Sequence, residues 1–319
     1  MINPDNIVID VEEQREWLRA HKNRIGVSWL ALAKEMDING STLSLFGTDN
    51  YQGNNAKIAQ AIFRYRQTLE SQMERQTGIL TGPGFFETRS ANRIKGLLTI
   101  AHGGRITLAA MSPGTGKTMT AIDYQRSASS VTYVYMRKST KTVNALSVLV
   151  LRAMGVAVKG GWGSQLADLI IEKLRNRRAL LIIDEANHMS VEQFEEVRGW
   201  HDESGCGVCF LGNEELMTRI ESGPRSDAFA RLHSRVASSH VQTLPEREDV
   251  EAFCDAWGLE DRAMRDLLTR IAMTPAAGGL REIAQIVEQA SMIATDEHRP
   301  LSYADLREAK ATRTTRNIH

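Results

Sequence analysis

Short runs of apolar residues alternate with helical patterns through the middle of the chain. Consecutive apolar residues are typical of strands covered on both faces of a sheet. Such runs predict strands at 106–110, 131–136, 179–184, 207–211 and 240–244. Helical spacing predicts helices at 118–128, 142–154, 164–176 and 214–220. Alternating strands and helices indicate an α/β fold, with a parallel five-stranded sheet between helical layers.

The first seventy residues show only helical patterns, at 10–21, at 28–36 with Ser28 as a cap, and at 41–46. A helix-turn-helix needs one small contact residue and three apolar anchors, and the matching positions hold Ala33, Ile38, Leu43 and Phe46. Asp37 stands in the turn where glycine is usual. Four side chains are expected to face the major groove of double-stranded DNA: Asn39, Ser41, Thr42 and Ser44. A three-helix bundle that contacts proteins is the alternative.

Glycine and proline are dense around residues 77–84, which is typical of a linker. The chain after residue 246 has no convincing strand pattern and is predicted to form a helical lid. The predicted domains are therefore a helix-turn-helix domain at 1–70, a linker or arm at 71–92, an α/β core at 93–245, and a lid with a basic tail at 246–319.

The charges balance, with 39 Lys and Arg residues against 39 Asp and Glu residues. A nucleic-acid surface would therefore be a local patch. No apolar run reaches the ~20 residues of a membrane span, so we expect a cytoplasmic protein without membrane contacts. Cys206 and Cys209 are spaced as CxxC, but no further pair or histidine motif completes a zinc set, so buried structural thiols are predicted.

Residues 111–118 read Met-Ser-Pro-Gly-Thr-Gly-Lys-Thr between a predicted strand and a predicted helix, which is the context of a nucleotide phosphate loop. Glycine lets backbone N–H groups close on phosphate oxygens at the positive end of the helix. Lys117 is expected to reach the β- and γ-phosphates, and Thr118 to bind Mg²⁺. The expected nucleotide contacts are Pro113, Gly114, Thr115, Gly116, Lys117, Thr118, Met119 and Asp184. Met111 replaces the usual first glycine, so an ordinary glycine-rich turn is the alternative.

The strand at 179–184 ends in two carboxylates, Asp184 and Glu185. Ligands of α/β sheets bind at the carboxyl ends of the strands. Asp184 is therefore expected to hold Mg²⁺, and Glu185 to orient the water that attacks the γ-phosphate. Asn213 follows the fourth strand and can hold the same water or cap the next helix.

Three arginines are further candidates. Arg231 and Arg235 are four positions apart on a predicted helix before the fifth strand, where oligomeric ATPases supply a finger to a neighbour's γ-phosphate. Arg281 follows Gly278 and Gly279 at the start of a lid helix and can fold over the nucleotide as a charge sensor.

Together these motifs resemble an AAA+ ATPase, and the domain order with the segment 229–235 resembles the B transposition proteins of Mu-type phages. The resemblance implies ATP and Mg²⁺ as cofactors. It makes Asn213 the first sensor and Arg281 the second, and it makes Arg235 or Arg231 the finger in trans, with Arg235 favoured. It also implies a DNA contact in the loop that contains Lys159.

The resemblance further implies a largely nonspecific DNA-binding ATPase that forms helical filaments or rings on DNA in the bacterial cytoplasm, at the nucleoid. Such an assembly delivers target DNA to a transposase, which stimulates hydrolysis, in transposition and recombination. A helicase loader or another transposon's helper ATPase would share every site residue. A helix-turn-helix transcriptional regulator gated by ATP, and a scaffold with an inactive nucleotide site, are the alternatives of other classes.

Overall fold

The computed structural model describes residues 9–76, 80, 82–158, 163–175, 178–221, 226–275 and 278–313. The chain divides into two compact units. The first comprises Met1–Ile79 with Thr295–His298, and the second comprises Leu80–Ala294 and Arg299–His319. None of the described helices is long and apolar enough to cross a membrane.

The first unit is helical. Its helices are α1 (Val11–Ile25), α2 (Trp29–Glu35), α3 (Gly40–Gly47) and α4 (Asn55–Gln76). They enclose an apolar cluster of their own, in which Leu18, Leu32, Leu43, Phe46 and Ile62 have no exposed surface. Burial of several such side chains stabilises a small helical unit, because each contributes about 1.5–3 kcal/mol.

The turn between α2 and α3 has the predicted apolar contacts. Ala33 is buried, Ile38 packs against the cluster, and the Ile38 N–H donates to the Ala33 carbonyl at 2.9 Å. Asp37 adopts φ 54°, the left-handed conformation that usually selects glycine. Aspartate is among the residues that tolerate this conformation, which explains how the turn forms without glycine.

The second unit contains the sheet. Its strands are β1 (Ile106–Met111), β2 (Val131–Tyr135), β3 (Leu180–Asp184), β4 (Gly207–Gly212) and β5 (Val236–Gln242). All pairs are parallel, in the order β2-β3-β4-β1-β5. The helices around the sheet are α5 (Arg89–His102), α6 (Lys117–Ser127), α7 (Val143–Ala153), α8 (Gly163–Leu174), α9 (Val191–Ser204), α10 (Glu214–Glu221) and α11 (Ser226–His233). The predicted α/β fold is confirmed.

Two elements differ from their predictions. The fifth strand begins at Val236 and ends at Gln242, not at 240–244. It is an edge strand whose residues alternate between partly buried and exposed, so its first half carries no apolar run. Helix α9 was not predicted at all, although Phe194, Val197 and Trp200 recur every three residues along it and are buried.

Helix α4 continues to Gln76 and α5 begins at Arg89, so helices occupy both ends of the segment predicted as a linker.

The remaining helices form the lid, without a strand among its described residues. They are α12 (Arg247–Ala256), α13 (Arg262–Ala272), α14 (Gly279–Asp296) and α15 (Tyr303–Arg313). A separate apolar cluster holds them together, with Phe253, Leu268, Ile283 and Leu306 nearly or fully buried. Helix α14 begins at the glycine pair, as predicted.

Asp305 anchors the start of α15. Its carboxylate accepts two hydrogen bonds of 2.6 Å from the Arg299 guanidinium, and further bonds from the N–H and hydroxyl of Ser302. The Arg299 hydrogen bonds, with those of Ser302, hold the pKa of the buried Asp305 carboxyl well below its ordinary value. A depressed pKa stabilises the fold above the ordinary value of about 4, and this contribution is lost as the pH falls below it.

We therefore expect Asp305→Asn to destabilise the lid by ~2 kcal/mol, because the buried carboxylate that pairs with the Arg299 guanidinium loses its charge. Hydrogen exchange of the amides in α12–α15, measured near pH 7, should accelerate. The difference from the wild type should shrink as the pH is lowered below about 4. Glu308→Gln removes an exposed carboxylate from the same helix and should leave exchange unchanged. Equal exchange in the wild type and Asp305→Asn would contradict the assignment.

Candidate nucleotide site

Residues 111–118, called the glycine loop below, join β1 to α6. Gly114 and Gly116 have φ of 79° and 90°, which disfavours any side chain at either position. Thr115 is buried, and its hydroxyl donates to the Ser112 carbonyl at 2.9 Å, which closes the turn. Among the other predicted contacts, Pro113 and Met119 are exposed. The loop thus opens onto the N-terminus of α6, where backbone N–H groups are free to bind an anion.

Met111 takes the position of the motif's first glycine without disturbing the loop. It is the last residue of β1, is fully buried, and packs in the apolar cluster on the α5 and α6 side of the sheet. Its φ lies outside the left-handed region, so glycine is not required there. A buried apolar side chain therefore replaces glycine at this position without backbone strain.

Lys117 is the first residue of α6 and is 8% exposed. Its ammonium donates to the carbonyls of Met111 at 2.5 Å and Ser112 at 2.9 Å. Burial lowers the pKa of Lys117, and nearby carboxylates oppose that shift. Those carboxylates belong to Asp184, Glu185 and Glu214. The cation is thus held inside the loop, with negative charge on the neighbouring strand ends.

Asp184, at the end of β3, has no exposed surface and is bonded at both oxygens. Its Oδ2 accepts from the Thr118 hydroxyl at 2.6 Å and from the Tyr133 hydroxyl at 2.8 Å, and its Oδ1 accepts from the Glu185 N–H at 2.9 Å. Burial, followed by the charge of Asp184, raises the pKa of Tyr133, so the phenol stays protonated as a donor. Sequence reasoning missed Tyr133, which lies 51 positions away on β2.

Glu185 follows Asp184 in a left-handed conformation, with φ 55°. It starts a short 3-10 turn, Ala186–His188, and its side chain is half-buried. Such backbone strain in a non-glycine residue costs about 1–3 kcal/mol and is concentrated at functional sites. The turn is fixed by Arg219, whose guanidinium donates to the Asn187 carbonyl at 2.6 Å and the Met189 carbonyl at 2.9 Å.

Asn213 lies directly after β4. Its N–H donates to the Asn187 side chain at 3.3 Å, which joins it to the turn after Glu185. Its Oδ1 is buried and has no hydrogen-bond partner. The alternative prediction, that this oxygen caps α10, is therefore wrong, because a capping oxygen would accept from a helical N–H. A buried acceptor without a partner costs about 1–3 kcal/mol and is available to a ligand or a water.

The lid touches the glycine loop directly. The Leu280 N–H donates to the Gly114 carbonyl at 3.0 Å, and a Cβ on Gly114 would lie only 1.9 Å from the Gly278 carbonyl oxygen. Arg281 is the next residue of α14. Its side chain is exposed, and its charge contributes to lowering the pKa of Lys117. Arg281 therefore lies near enough to Lys117 for the two charges to interact.

The two finger candidates, Arg231 and Arg235, do not lie at the glycine loop. Helix α11 ends at His233, so Arg235 falls in the turn after it, and the prediction that both share one helix face is wrong. Arg235 Nε donates to Asp202 at 3.2 Å, and Arg231 is largely exposed. Val236 pairs with Ile106 at the start of β1, whereas Gln242 pairs with Met111 beside the loop. Six residues of strand span about 20 Å, so Arg235 is at the opposite end of the sheet from its own glycine loop.

The oxygen donors of Thr118 and Asp184 fit Mg²⁺, which usually takes one or two protein oxygens and completes its shell with water and phosphate. Within the described ranges, no group of three or more His, Cys, Asp or Glu residues could hold a metal ion.

Cys206, Cys209 and Cys254 are free and buried, and burial raises the pKa of each thiol. The CxxC pair is thus buried, as predicted.

The predicted DNA contacts in the first unit lie around the start of α3. The Asn39 side chain caps this helix by accepting from the N–H groups of Ser41 and Thr42. Asn39 and Ser41 are exposed, while Thr42 and Ser44 are partly buried. Helix α3 carries no cation. Lys159 falls outside the described residues.

Comparison with known proteins places this geometry in a family. A family model described as an AAA domain matches residues 101–220, and a model described as the C-terminal part of the Mu B transposition protein matches residues 234–312. The Mu-like prophage FluMu DNA transposition protein B of Haemophilus influenzae is 30% identical over 273 residues, which cover 84% of this chain and 93% of that protein. The chain belongs to the Mu B transposition protein family.

A further relative agrees with this membership, and two solved structures share the fold. The ATP-dependent target DNA activator B of Escherichia phage Mu is 26% identical over 302 residues, covering 94% of this chain and 95% of the relative. The crystal structure of Cdc6p from Pyrobaculum aerophilum is 16% identical with a TM-score of 0.53, over 73% of this chain and 69% of that one. Drosophila ORC bound to DNA has a TM-score of 0.50 at 16% identity, over 76% and 65%. These structures share the fold, and this Mu B family member is an AAA ATPase.

Proposed function

We propose that this Mu B family protein binds double-stranded DNA largely without sequence preference, assembles on it with ATP, and delivers it to a transposase. The observation that carries the proposal is the convergence of Lys117, Thr118, Asp184 and Glu185 at one edge of the sheet in a member of this family. Two relatives are named ATP-dependent target DNA activators, which agrees with a role in preparing target DNA. Activation of transposition targets is thus the function.

Each site residue has a chemical role in this proposal. Lys117 exchanges its carbonyl partners for the β- and γ-phosphates, and the N–H groups at the start of α6 bind the same oxygens. Thr118 and Asp184 would hold Mg²⁺, which would supply positive charge beside the phosphates. Glu185 orients the attacking water, with Asn213 Oδ1 as a second acceptor. Arg281 carries positive charge toward the γ-phosphate from the lid.

The distance between Arg235 and its own glycine loop supports assembly of several subunits. A residue about 20 Å from its own glycine loop can reach a γ-phosphate only in another subunit. We therefore assign Arg235 as the finger in trans and Arg231 as the second candidate. A site completed by a neighbour makes ATP binding, self-association and DNA binding linked equilibria. A filament or ring on DNA is the assembly that such linkage favours.

The decisive test compares ATP with ADP on random-sequence double-stranded DNA by electron microscopy and by cosedimentation. Continuous protein filaments or stacked rings are expected with ATP, and none with ADP. Binding should weaken steeply with salt, because each phosphate contact releases counterions. Equal assembly with ADP would remove the nucleotide switch. Protection of a single sequence would instead favour the transcriptional regulator, in which the first unit reads an operator.

The finger assignment predicts that Arg235→Ala lowers ATP turnover by at least ~10²-fold while ATP binding changes little, because the guanidinium acts on a neighbour's transition state. Mixing Arg235→Ala with Glu185→Gln should restore part of the turnover, since some interfaces then pair an intact finger with an intact Glu185. Turnover of each variant and of the mixture is measured by phosphate release. Turnover that stays normal in Arg235→Ala but falls in Arg231→Ala would transfer the role to Arg231.

A further inference from the structure

One stretch of this neutral chain carries positive charge only. Between Asp123 and Asp168 there is no aspartate or glutamate, although the whole chain has as many acids as bases. Three of the cations lie within five positions, Arg137, Lys138 and Lys141, in the loop from β2 to α7. We call residues 136–142 the edge loop, because β2 is an edge strand of the sheet.

Hydrogen bonds hold the backbone of the edge loop in place. Gln193, which is fully buried, donates to the carbonyls of Thr140 and Thr142, both at 3.0 Å. The Met136 N–H donates to the Asp184 carbonyl at 2.9 Å, and the Thr140 N–H donates to the Arg137 carbonyl at 2.9 Å. A loop held in this way has already lost much of the entropy that a ligand would otherwise have to remove on binding.

The three cations of the edge loop are all exposed, and none forms an ion pair within the described part of the chain. Surface lysines and arginines commonly lie near acids, but no acid is close in this stretch of sequence. Tyr135, the last residue of β2, is exposed just before the edge loop, but the loop itself exposes only polar and basic side chains. A surface that binds a protein partner ordinarily has an apolar centre. A surface that binds a regularly charged polymer does not need an apolar centre.

The nucleotide is not the ligand of these cations. Strand β2 is separated from β1 by β3 and β4, so its end lies about 14 Å from the glycine loop at a strand spacing of ~4.8 Å. We propose that the edge loop binds the phosphate backbone of double-stranded DNA through Arg137, Lys138 and Lys141. This contact rests on the proposed function, since it assumes that DNA is bound, and adds a surface distinct from the first unit and from Lys159.

The test is the salt dependence of DNA binding by the full chain with ATP. The variant Arg137→Ala/Lys138→Ala/Lys141→Ala is titrated onto a labelled random-sequence duplex by fluorescence anisotropy at several salt concentrations. The slope of log affinity against log salt should become shallower by ~2–3, because each phosphate contact contributes about 0.9. Affinity at ~0.1 M salt should fall at least ~10-fold. Affinity for a fluorescent ATP analogue should stay within about twofold of the wild type.

A matched control removes three exposed arginines that precede β1, β2 and β3, at the opposite end of the strands from the edge loop: Arg105→Ala/Arg126→Ala/Arg175→Ala. Its slope should equal that of the wild type. An unchanged slope in the edge-loop variant, or the same reduction in both variants, would overturn the proposal, and so would a loss of ATP affinity. If the wild type itself fails to bind DNA with ATP, the proposed function falls as well. If the wild type binds DNA and the salt slope of the edge-loop variant equals that of the wild type, only the proposed DNA contact of the edge loop is refuted.

Discussion

Lys117→Ala should weaken ATP binding by on the order of 100-fold and abolish ATP-dependent assembly on DNA. The variant removes the only cation that lies within the glycine loop in the described structure, and charge-assisted bonds to phosphate contribute roughly 1.5–3 kcal/mol each. It also releases the carbonyls of Met111 and Ser112, which the ammonium holds in the wild type. Binding is measured with a fluorescent ATP analogue, and assembly by cosedimentation with DNA.

Lys173→Ala, on α8, is the control for removal of a lysine from the same unit, and it should behave as the wild type. Circular dichroism separates loss of binding from loss of fold, because Lys117→Ala leaves the apolar clusters intact. ATP affinity that remains within a few-fold of the wild type in Lys117→Ala would mean that residues 111–118 are an ordinary turn. DNA assembly that persists without ATP binding would break the proposed link between the two.

Glu185→Gln should leave ATP binding nearly intact and reduce turnover by about 10²–10⁴-fold, the usual contribution of a positioned acid or base. The amide keeps the shape of the side chain and the strained turn, but it cannot take a proton from the attacking water. In the proposed function hydrolysis releases the assembly, so DNA filaments of this variant should persist long after those of the wild type have dissociated. Phosphate release and the lifetime of filaments are the two measurements.

Glu203→Gln, an exposed position on α9, makes the same chemical change away from the site and should turn over ATP normally. The scaffold alternative predicts no turnover in the wild type, so measurable hydrolysis that Glu185→Gln removes would exclude it. Turnover that survives the substitution would move the base to another residue. Persistent filaments in both Glu185→Gln and Glu203→Gln would show that release does not depend on hydrolysis at this site.

The parts of the site that lie along one local segment could be predicted from the sequence. The apolar run before Asp184 and the glycines before Lys117 each mark a strand end or a helix start, and the residues at these points meet because parallel strands end at the same edge. The position of β3 was predicted within one residue. Asp37 was recognised as an unusual turn residue, and its left-handed conformation explains why the turn still forms.

Contacts between distant segments could not be predicted. No local pattern in Tyr133 indicates that its hydroxyl will meet Asp184, and nothing near Gly114 indicates that Leu280 will donate to its carbonyl. Strand β5 was misplaced because an edge strand has one open side and tolerates polar residues such as Ser238 and Ser239. Arg235 was assigned to a helix on spacing alone, whereas α11 ends two residues earlier. Tertiary packing decided all of these.

The division of the apolar interior into separate clusters bears on thermal unfolding. The cluster of the first unit is enclosed by α1–α4, whereas the sheet and the lid have clusters of their own. Because the chain has two compact units with apolar clusters of their own, we expect them to unfold in separate steps and the calorimetric enthalpy of the whole chain to exceed the van't Hoff enthalpy of either transition. ATP raises the midpoint of only the transition that contains its site. A single melting temperature of this chain is therefore not a measure of its free energy of unfolding.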